Sequence, residues 1–349
     1  MSNRGLRIKN PDGTSFLFNE NTSPAFIVWS GNVDRDSPGF EIRDRRYYWR
    51  CPNKIPDGYN YIIVGENMAG IGYKIENSQW TPTGGVWESD WAVNDGYVTL
   101  NGTIMKEYIV IVAWPSSSTG KYGIRVLGNS IFTSISDMTH ASYVIYKGET
   151  VIEGDWRPSV LNPSFTMNNC LCFFYSESPD ATIRLWNSFE DRDKYPFTDQ
   201  IADYVYRAID RWGNRTSLRC KVVVFGNKDL NATTASQRYG FRIRNLSGKI
   251  TFSNSEGVLV NPKPVTINDK GVDAPFEIPG VRRPMYLAAM IGQGFNNRTQ
   301  YKYGLKSYGS YVQVGVTESK YQEASHGSRI DYVTQKPFLF LDAADYFNF

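Results

Sequence analysis

The chain has 349 residues, of which 41% are hydrophobic and 21% charged, a balance that excludes a wholly disordered polypeptide. Its 38 basic and 35 acidic side chains leave a net charge of +3, too small to mark a polyanionic partner, and no basic stripe of the kind that grips nucleic acid is visible. The apolar run 108–114 (YIVIVAW) is far shorter than the ~20 residues needed to span a bilayer, so no membrane insertion is expected, and the opening MSNRGLRIKNPDG lacks the apolar core of a secretory signal.

With 23 Tyr, 19 Phe and 9 Trp punctuated by 30 Gly and 17 Pro, the composition is that of short strands joined by turns. In chain order, Leu6 and Ile8 alternate with Arg7 and Lys9, Pro11-Asp12-Gly13 turns the chain, and Phe16-Leu17-Phe18 returns it. This opening hairpin has an apolar face that another sheet must cover. Its first strand comes back twice: Gly5-Leu6-Arg7-Ile8, Gly123-Ile124-Arg125-Val126 and Gly240-Phe241-Arg242-Ile243 all read Gly, apolar, Arg, β-branched. Other features keep nearly the same interval. Val28-Trp29-Ser30-Gly31 matches Ile145-Tyr146-Lys147-Gly148. The mid-unit runs are 61–64 (YIIV), 171–175 (LCFFY) and 285–290 (MYLAAM). The late runs are 108–114, 221–225 (KVVVF) and 337–341 (PFLFL).

The pattern predicts an all-β chain of three tandem, mutually similar β-sandwich domains, at residues 1–118, 119–236 and 237–349, each with its own core. The small polar segments 115–120 and 231–236 are the expected joins. Only 201–212 (IADYVYRAIDRW) also fits a helical period. Its counterparts Tyr97-Val98-Thr99-Leu100 and Tyr311-Val312-Gln313-Val314 look like strands, so a strand is expected, with a short helix as the alternative.

Catalytic chemistry is hard to find. Of the two histidines, His140 and His326, neither sits in a nucleophile signature. The acidic clusters Asp34-Arg35-Asp36 and Glu190-Asp191-Arg192-Asp193 are interleaved with Arg, as solvated loops are, and no P-loop or EF-hand pattern occurs. The four cysteines, Cys51, Cys170, Cys172 and Cys220, lack paired zinc spacing and read as buried strand thiols, with a Cys172–Cys220 bridge as the alternative. No enzyme activity, cofactor or metal is expected.

Aromatic residues in polar context are the better lead. Arg46 and Arg50 flank three consecutive rings, Tyr47, Tyr48 and Trp49, and Trp80, Trp87 and Trp91 cluster among turns. Such mixtures suit interfaces, because Tyr and Trp offer rigid area and Arg adds planar donors; the competing reading is that these rings fill sandwich cores. Six of the nine Trp fall in the first unit and none in the third. The units carry 11, 13 and 14 basic residues against 13, 13 and 9 acidic ones, so one unit type has been given different surfaces. Removing 237–349 is therefore expected to affect assembly or adsorption unequally.

The opening Gly5-Leu6-Arg7-Ile8-Lys9-Asn10-Pro11-Asp12-Gly13-Thr14, with Phe16-Leu17-Phe18 and Ile27-Val28-Trp29 behind it, resembles the start of minor tail proteins of long-tailed bacteriophages. Those often begin with a Gly-Leu-x-(Ile/Val)-x-Asn-x-x-Gly hairpin and continue as small β domains. The likeness covers about thirty residues and returns in weaker form at Gly123 and Gly240. It implies a non-enzymatic virion component of the distal tail, assembled in the host cytoplasm in several symmetric copies. Its implied partners are other tail proteins and a host-surface glycan or outer-membrane receptor. The motif carries no functional residue to transfer. A carbohydrate-binding array and a polysaccharide-degrading tail enzyme are the alternatives.

Overall fold

Sheet order repeats along the chain even where sequence similarity fades. The computed structural model describes residues 6–9, 15–18, 24–44, 46–76, 79–89, 91–102, 107–116, 123–127, 132–136, 141–187, 203–227, 242–244, 250–253, 257–267, 274–296, 299–321 and 330–349. Among them every regular element is a strand, apart from the single 3-10 turns Pro158–Val160 and Ala343–Asp345. No helix is long and apolar enough to cross a membrane.

The first third holds β1 (Leu6–Lys9), β2 (Ser15–Phe18), β3 (Phe26–Val33), β4 (Phe40–Arg43), β5 (Arg46–Arg50) and β6 (Tyr59–Gly65). It continues with β7 (Ala69–Glu76), β8 (Gln79–Glu88), β9 (Trp91–Asn94), β10 (Tyr97–Gly102) and β11 (Glu107–Pro115). The opening hairpin forms as its alternation predicts, Leu6 facing Phe18. The first, last and middle long strands make an antiparallel sheet in the order β3-β11-β6. The apolar run on β11 is continuous because both faces are buried. Ile109, Ile111 and Ala113 face a core shared with the four-stranded sheet β4-β5-β10-β9, while Tyr108, Val110 and Val112 face the main core of the molecule.

The second third comprises β12 (Gly123–Leu127), β13 (Phe132–Ser136), β14 (Tyr143–Ile152), β15 (Leu171–Tyr175), β16 (Ala181–Asn187), β17 (Tyr204–Asp210), β18 (Arg215–Thr216) and β19 (Leu218–Gly226). In the last third, β20 (Arg242–Arg244) and β21 (Ile250–Ser253) form the hairpin, and β22 (Lys263–Thr266), β23 (Phe276–Glu277) and β24 (Pro284–Tyr286) follow. Then come β25 (Gly292–Asn296), β26 (Thr299–Tyr308), β27 (Tyr311–Tyr321), β28 (Ile330–Val333) and β29 (Pro337–Asp342). Both thirds repeat the order first, last, middle, as β14-β19-β15 and β22-β29-β24. The bulge repeats as well. Opposite β11 the register skips Val28, and opposite β19 it skips Ile145, one repeat interval further on. A bulge re-aims side chains, and in β3 it lets Val28 and Trp29, consecutive residues, pack against the same core. The stretch 204–210 is a strand, like its counterparts in β10 and β27.

One expectation needs correction. The last two thirds do not close separate cores. β15 and β24 sit at the edges of their three-stranded sheets and pair antiparallel, Phe174 opposite Tyr286, giving one six-stranded sheet, β14-β19-β15-β24-β29-β22. An edge strand carries unpaired backbone donors and acceptors, and two such edges satisfy each other. The main core accordingly draws on all three thirds: Ile27 and Val110, Phe173 and Val223, Met285 and Phe340. The boundary expected near 236 thus divides two halves of a sheet. The join segments 117–120 and 231–236 lie outside the described residues.

All four cysteines are buried and unbridged. Desolvation pushes the Cys220 thiol up to about 12 and the Cys51 thiol up to about 11, so both stay protonated and behave as small apolar side chains.

Candidate interaction surface

In a strand, alternate residues face opposite sides, and the four-stranded sheet β4-β5-β10-β9 sorts the Arg-aromatic cluster accordingly. Register pairs Trp49 with Phe40 and Leu100, and Tyr48 with Glu41 and Asn101. Tyr47 and Trp49 therefore point inward. Trp49 is 1% exposed, its indole N–H donates to the Pro38 carbonyl at 3.0 Å, and its ring meets Trp29 edge-on at 5.4 Å. These two residues follow the core-filling reading.

Arg46, Tyr48 and Arg50 take the opposite face. There the Arg50 guanidinium lies 3.9 Å over the Tyr97 ring, and Arg43 lies 5.7 Å from the Tyr48 ring while donating from Nε to Glu41 at 2.7 Å. Each guanidinium–ring contact is diagonal across neighbouring strands, within reach of long side chains. An exposed guanidinium–ring contact is worth about 0.5–1 kcal/mol and, more usefully, holds the guanidinium flat with its donor edge outward. Thr99 and Asn94 continue the face, linked Nδ2 to Oγ1 at 3.3 Å. Turns at Asp44 (φ 50°) and at Asp95-Gly96 (φ 52° and 79°) close the two hairpins that build it. Asp-Gly with both φ positive matches strand twist, which fixes the β9–β10 register.

Of the three clustered tryptophans, only Trp91 has a described side chain. Trp91 lies opposite Leu100, half-buried and packed against both cores, with Lys336 Nζ 4.9 Å from its ring. Trp80 and Trp87 belong to the separate β7–β8 hairpin, and their side chains lie outside the described residues. Sequence reading missed Tyr97, whose partnership with Arg50 follows only from the β5–β10 register. It also missed Trp212, 66% exposed on the turn after β17, with Arg211 4.7 Å over its ring and its backbone N–H held by Asp210 at 2.8 Å.

Other charged clusters join the thirds together. Arg184 on β16, 1% exposed, donates to Glu318 on β27 at 2.5 Å, and Lys302 on β26 reaches the same carboxylate at 3.0 Å. Burial alone would raise the Glu318 carboxyl, but these two cations outweigh it and hold it below its ordinary value. Trp186 lies under two guanidinium groups, Arg184 at 3.6 Å and Arg207 at 4.8 Å. Between first and last thirds, Glu88 accepts from the Gln335 backbone at 2.6 Å and the Tyr332 hydroxyl at 3.1 Å, and Lys336 donates to the Ser89 carbonyl. Nearby, desolvation pushes the Glu107 carboxyl up to about 8, against the opposing pull of the Asn67 backbone N–H and Lys336. A groove of about 500 Å³ lined by Glu149, Tyr175, Glu177, Arg219 and Lys221 satisfies much of its own charge, since Glu149 accepts from both Arg219 and Lys221 at 3.0 Å.

Both histidines and the cluster 190–193 lie outside the described residues. Asp34 is consumed by its own turn, accepting from Ser37 Oγ at 2.9 Å and the Asp36 backbone at 3.2 Å. Among the described residues no three His, Cys, Asp or Glu side chains converge as a metal-ligand set.

No curated protein and no solved structure matches the chain. One family model does, over residues 5–324, crossing both expected joins just as the main core does. That span covers most of the sequence, and the chain belongs to DUF6453, described as a family of unknown function.

Proposed function

We propose that this protein is a non-enzymatic structural component of a bacteriophage tail, placed at the distal end, where it joins other tail proteins and turns a face toward the host surface. In this reading three copies of one unit, an opening hairpin followed by a sheet of first, last, middle order, were fused and then given different surfaces. The protein assembles in the host cytoplasm and works in the virion, in several symmetric copies. The observation that carries the proposal is the sheet β4-β5-β10-β9, which uses its inner face for a core and offers outward a flat array of Arg, Tyr, Thr and Asn. Such an array suits recognition. The thrice-used sheet order and the tail-protein likeness of the opening hairpin support it further. Mass spectrometry of purified virions, with antibody labelling under the electron microscope, tests it: the protein is expected in stoichiometric amount at the tail tip. Its absence from virions made by cells that express it would refute the proposal.

A second reading, a carbohydrate-binding module without a virion role, is favoured by Trp212, which is largely exposed beside Arg211, a ring-and-donor pair that suits a sugar. A Trp212→Ala protein that loses retention on neutral glycan columns, combined with absence from virions, would select it.

A further inference from the structure

The outward face of β4-β5-β10-β9 carries its charge at a cost to the fold. Arg43 and Arg46 are direct cross-strand partners, and like charges placed opposite each other destabilise a sheet. Arg50 follows Arg46 on the same side of β5. Glu41 compensates Arg43. Among the described residues neither Arg46 nor Arg50 has a carboxylate partner, although ion pairs elsewhere in the molecule are frequent. Three guanidinium groups on one face against one carboxylate leave a local surplus that the fold does not use.

The form of the surplus narrows what it recognises. Arg50 lies 3.9 Å over the Tyr97 ring, with Arg43 at 5.7 Å from that of Tyr48. A stacked guanidinium keeps its in-plane donors directed away from the ring, the geometry that accepts a carboxylate or phosphate in a bidentate pair. Arg50 occupies the Tyr97 ring, which leaves a neutral sugar less open ring to lie on. The remaining groups, Thr99, Asn94 and Asn101, are hydroxyl and amide, suited to the hydroxyl-rich edge of a sugar.

We infer that this face binds an acidic polysaccharide, with Arg46 and Arg50 taking carboxylate groups spaced along its chain and the hydroxyl and amide side chains bonding the ring hydroxyls. The inference rests on the surface-presenting role proposed above and names the class of molecule presented to.

The test uses the full chain and three probes: polygalacturonate as a carboxylated glycan, dextran as a neutral one, and poly-L-glutamate as an acidic polypeptide. Affinities are measured by thermophoresis at two salt concentrations. Polygalacturonate is expected to bind, more weakly at high salt, and dextran not to bind. Arg46→Gln/Arg50→Gln is expected to weaken polygalacturonate binding at least tenfold with a melting temperature no lower than that of the parent protein. The control Arg211→Gln/Arg219→Gln, which removes the same charge elsewhere, is expected to keep it. Equal loss in both double variants, equal binding of dextran, or no binding of polygalacturonate overturns the inference. Tighter binding of poly-L-glutamate overturns it too, in favour of an acidic protein partner. None of these results bears on whether the protein is in the virion, so the tail proposal stands or falls by its own experiment.

Discussion

Glu107 and Glu318 are both carboxylates in crowded surroundings that drive them in opposite directions. At Glu318 two cations outweigh burial and the group stays charged; at Glu107 burial wins. The Glu107 carboxyl is packed where a Cβ on Gly65 would press on both it and the Trp91 ring, and its value of about 8 lies well above the ordinary 4.5. A group whose folded value is raised binds its proton more tightly in the folded state, so its contribution is fully present below pH 4.5 and is lost as pH rises toward about 8. Glu107→Gln removes this dependence. It is expected to raise stability at pH 8.5 by about 2 kcal/mol, a figure discounted because the side chain is only half-buried, and to leave stability at pH 4 nearly unchanged. Urea midpoints at the two pH values check it; a midpoint that shifts equally at both would show that packing, not the proton, is responsible.

At the scale of elements, the five-stranded sheet β23-β27-β26-β25-β28 depends on close backbone approach. Gly292 on β25 pairs with Val333 on β28, and a Cβ there would stand 2.9 Å from the Val333 Cα and closer still to the Tyr332 carbonyl oxygen. Backbone cannot swing aside as a side chain can. Gly292→Ala is expected to cost about 1–3 kcal/mol and to speed amide exchange in β28 selectively, read by hydrogen exchange. Uniform exchange across the sheet would contradict this local account. Elements were also the scale at which the sequence was most legible. Strands with clear alternation or an unbroken apolar run, such as β1, β11 and β19, read directly from their residues. The repeat located the equivalents of Val28 and Ile145 before any bulge was visible. Facing was less legible: Tyr47, Tyr48 and Trp49 are adjacent in sequence, and only pairing with β4 and β10 decides which ring is core and which is surface.

For the whole molecule, the sequence suggested three independent bodies because the signals that mark joins, small polar linkers and returning motifs, are local. The contact that defeats independence, Phe174 opposite Tyr286, links strands more than a hundred residues apart, and neither LCFFY nor MYLAAM announces its mate. Removing 237–349 therefore takes half of the six-stranded sheet away and uncovers an apolar edge at β15, so its effect on assembly and its effect on adsorption would both follow from misfolding. Residues 119–236 expressed alone are expected to aggregate or to lack near-ultraviolet circular dichroism, whereas the last two thirds in the intact chain should melt in one cooperative calorimetric transition. A soluble 119–236 fragment with a dispersed NMR spectrum would restore the picture of separable units.

The shared sheet also constrains how such proteins diversify. A gene exchange that imported a foreign last third would bring a strand whose edge had never been matched to the resident β15, together with a mismatched half of the hydrophobic interior. Recombination at the repeat joins should therefore be purged. Variation within the family is expected to accumulate residue by residue on the outward faces, such as that of β5 and β10, while the seam between the two halves of the sheet changes slowly and in compensating pairs.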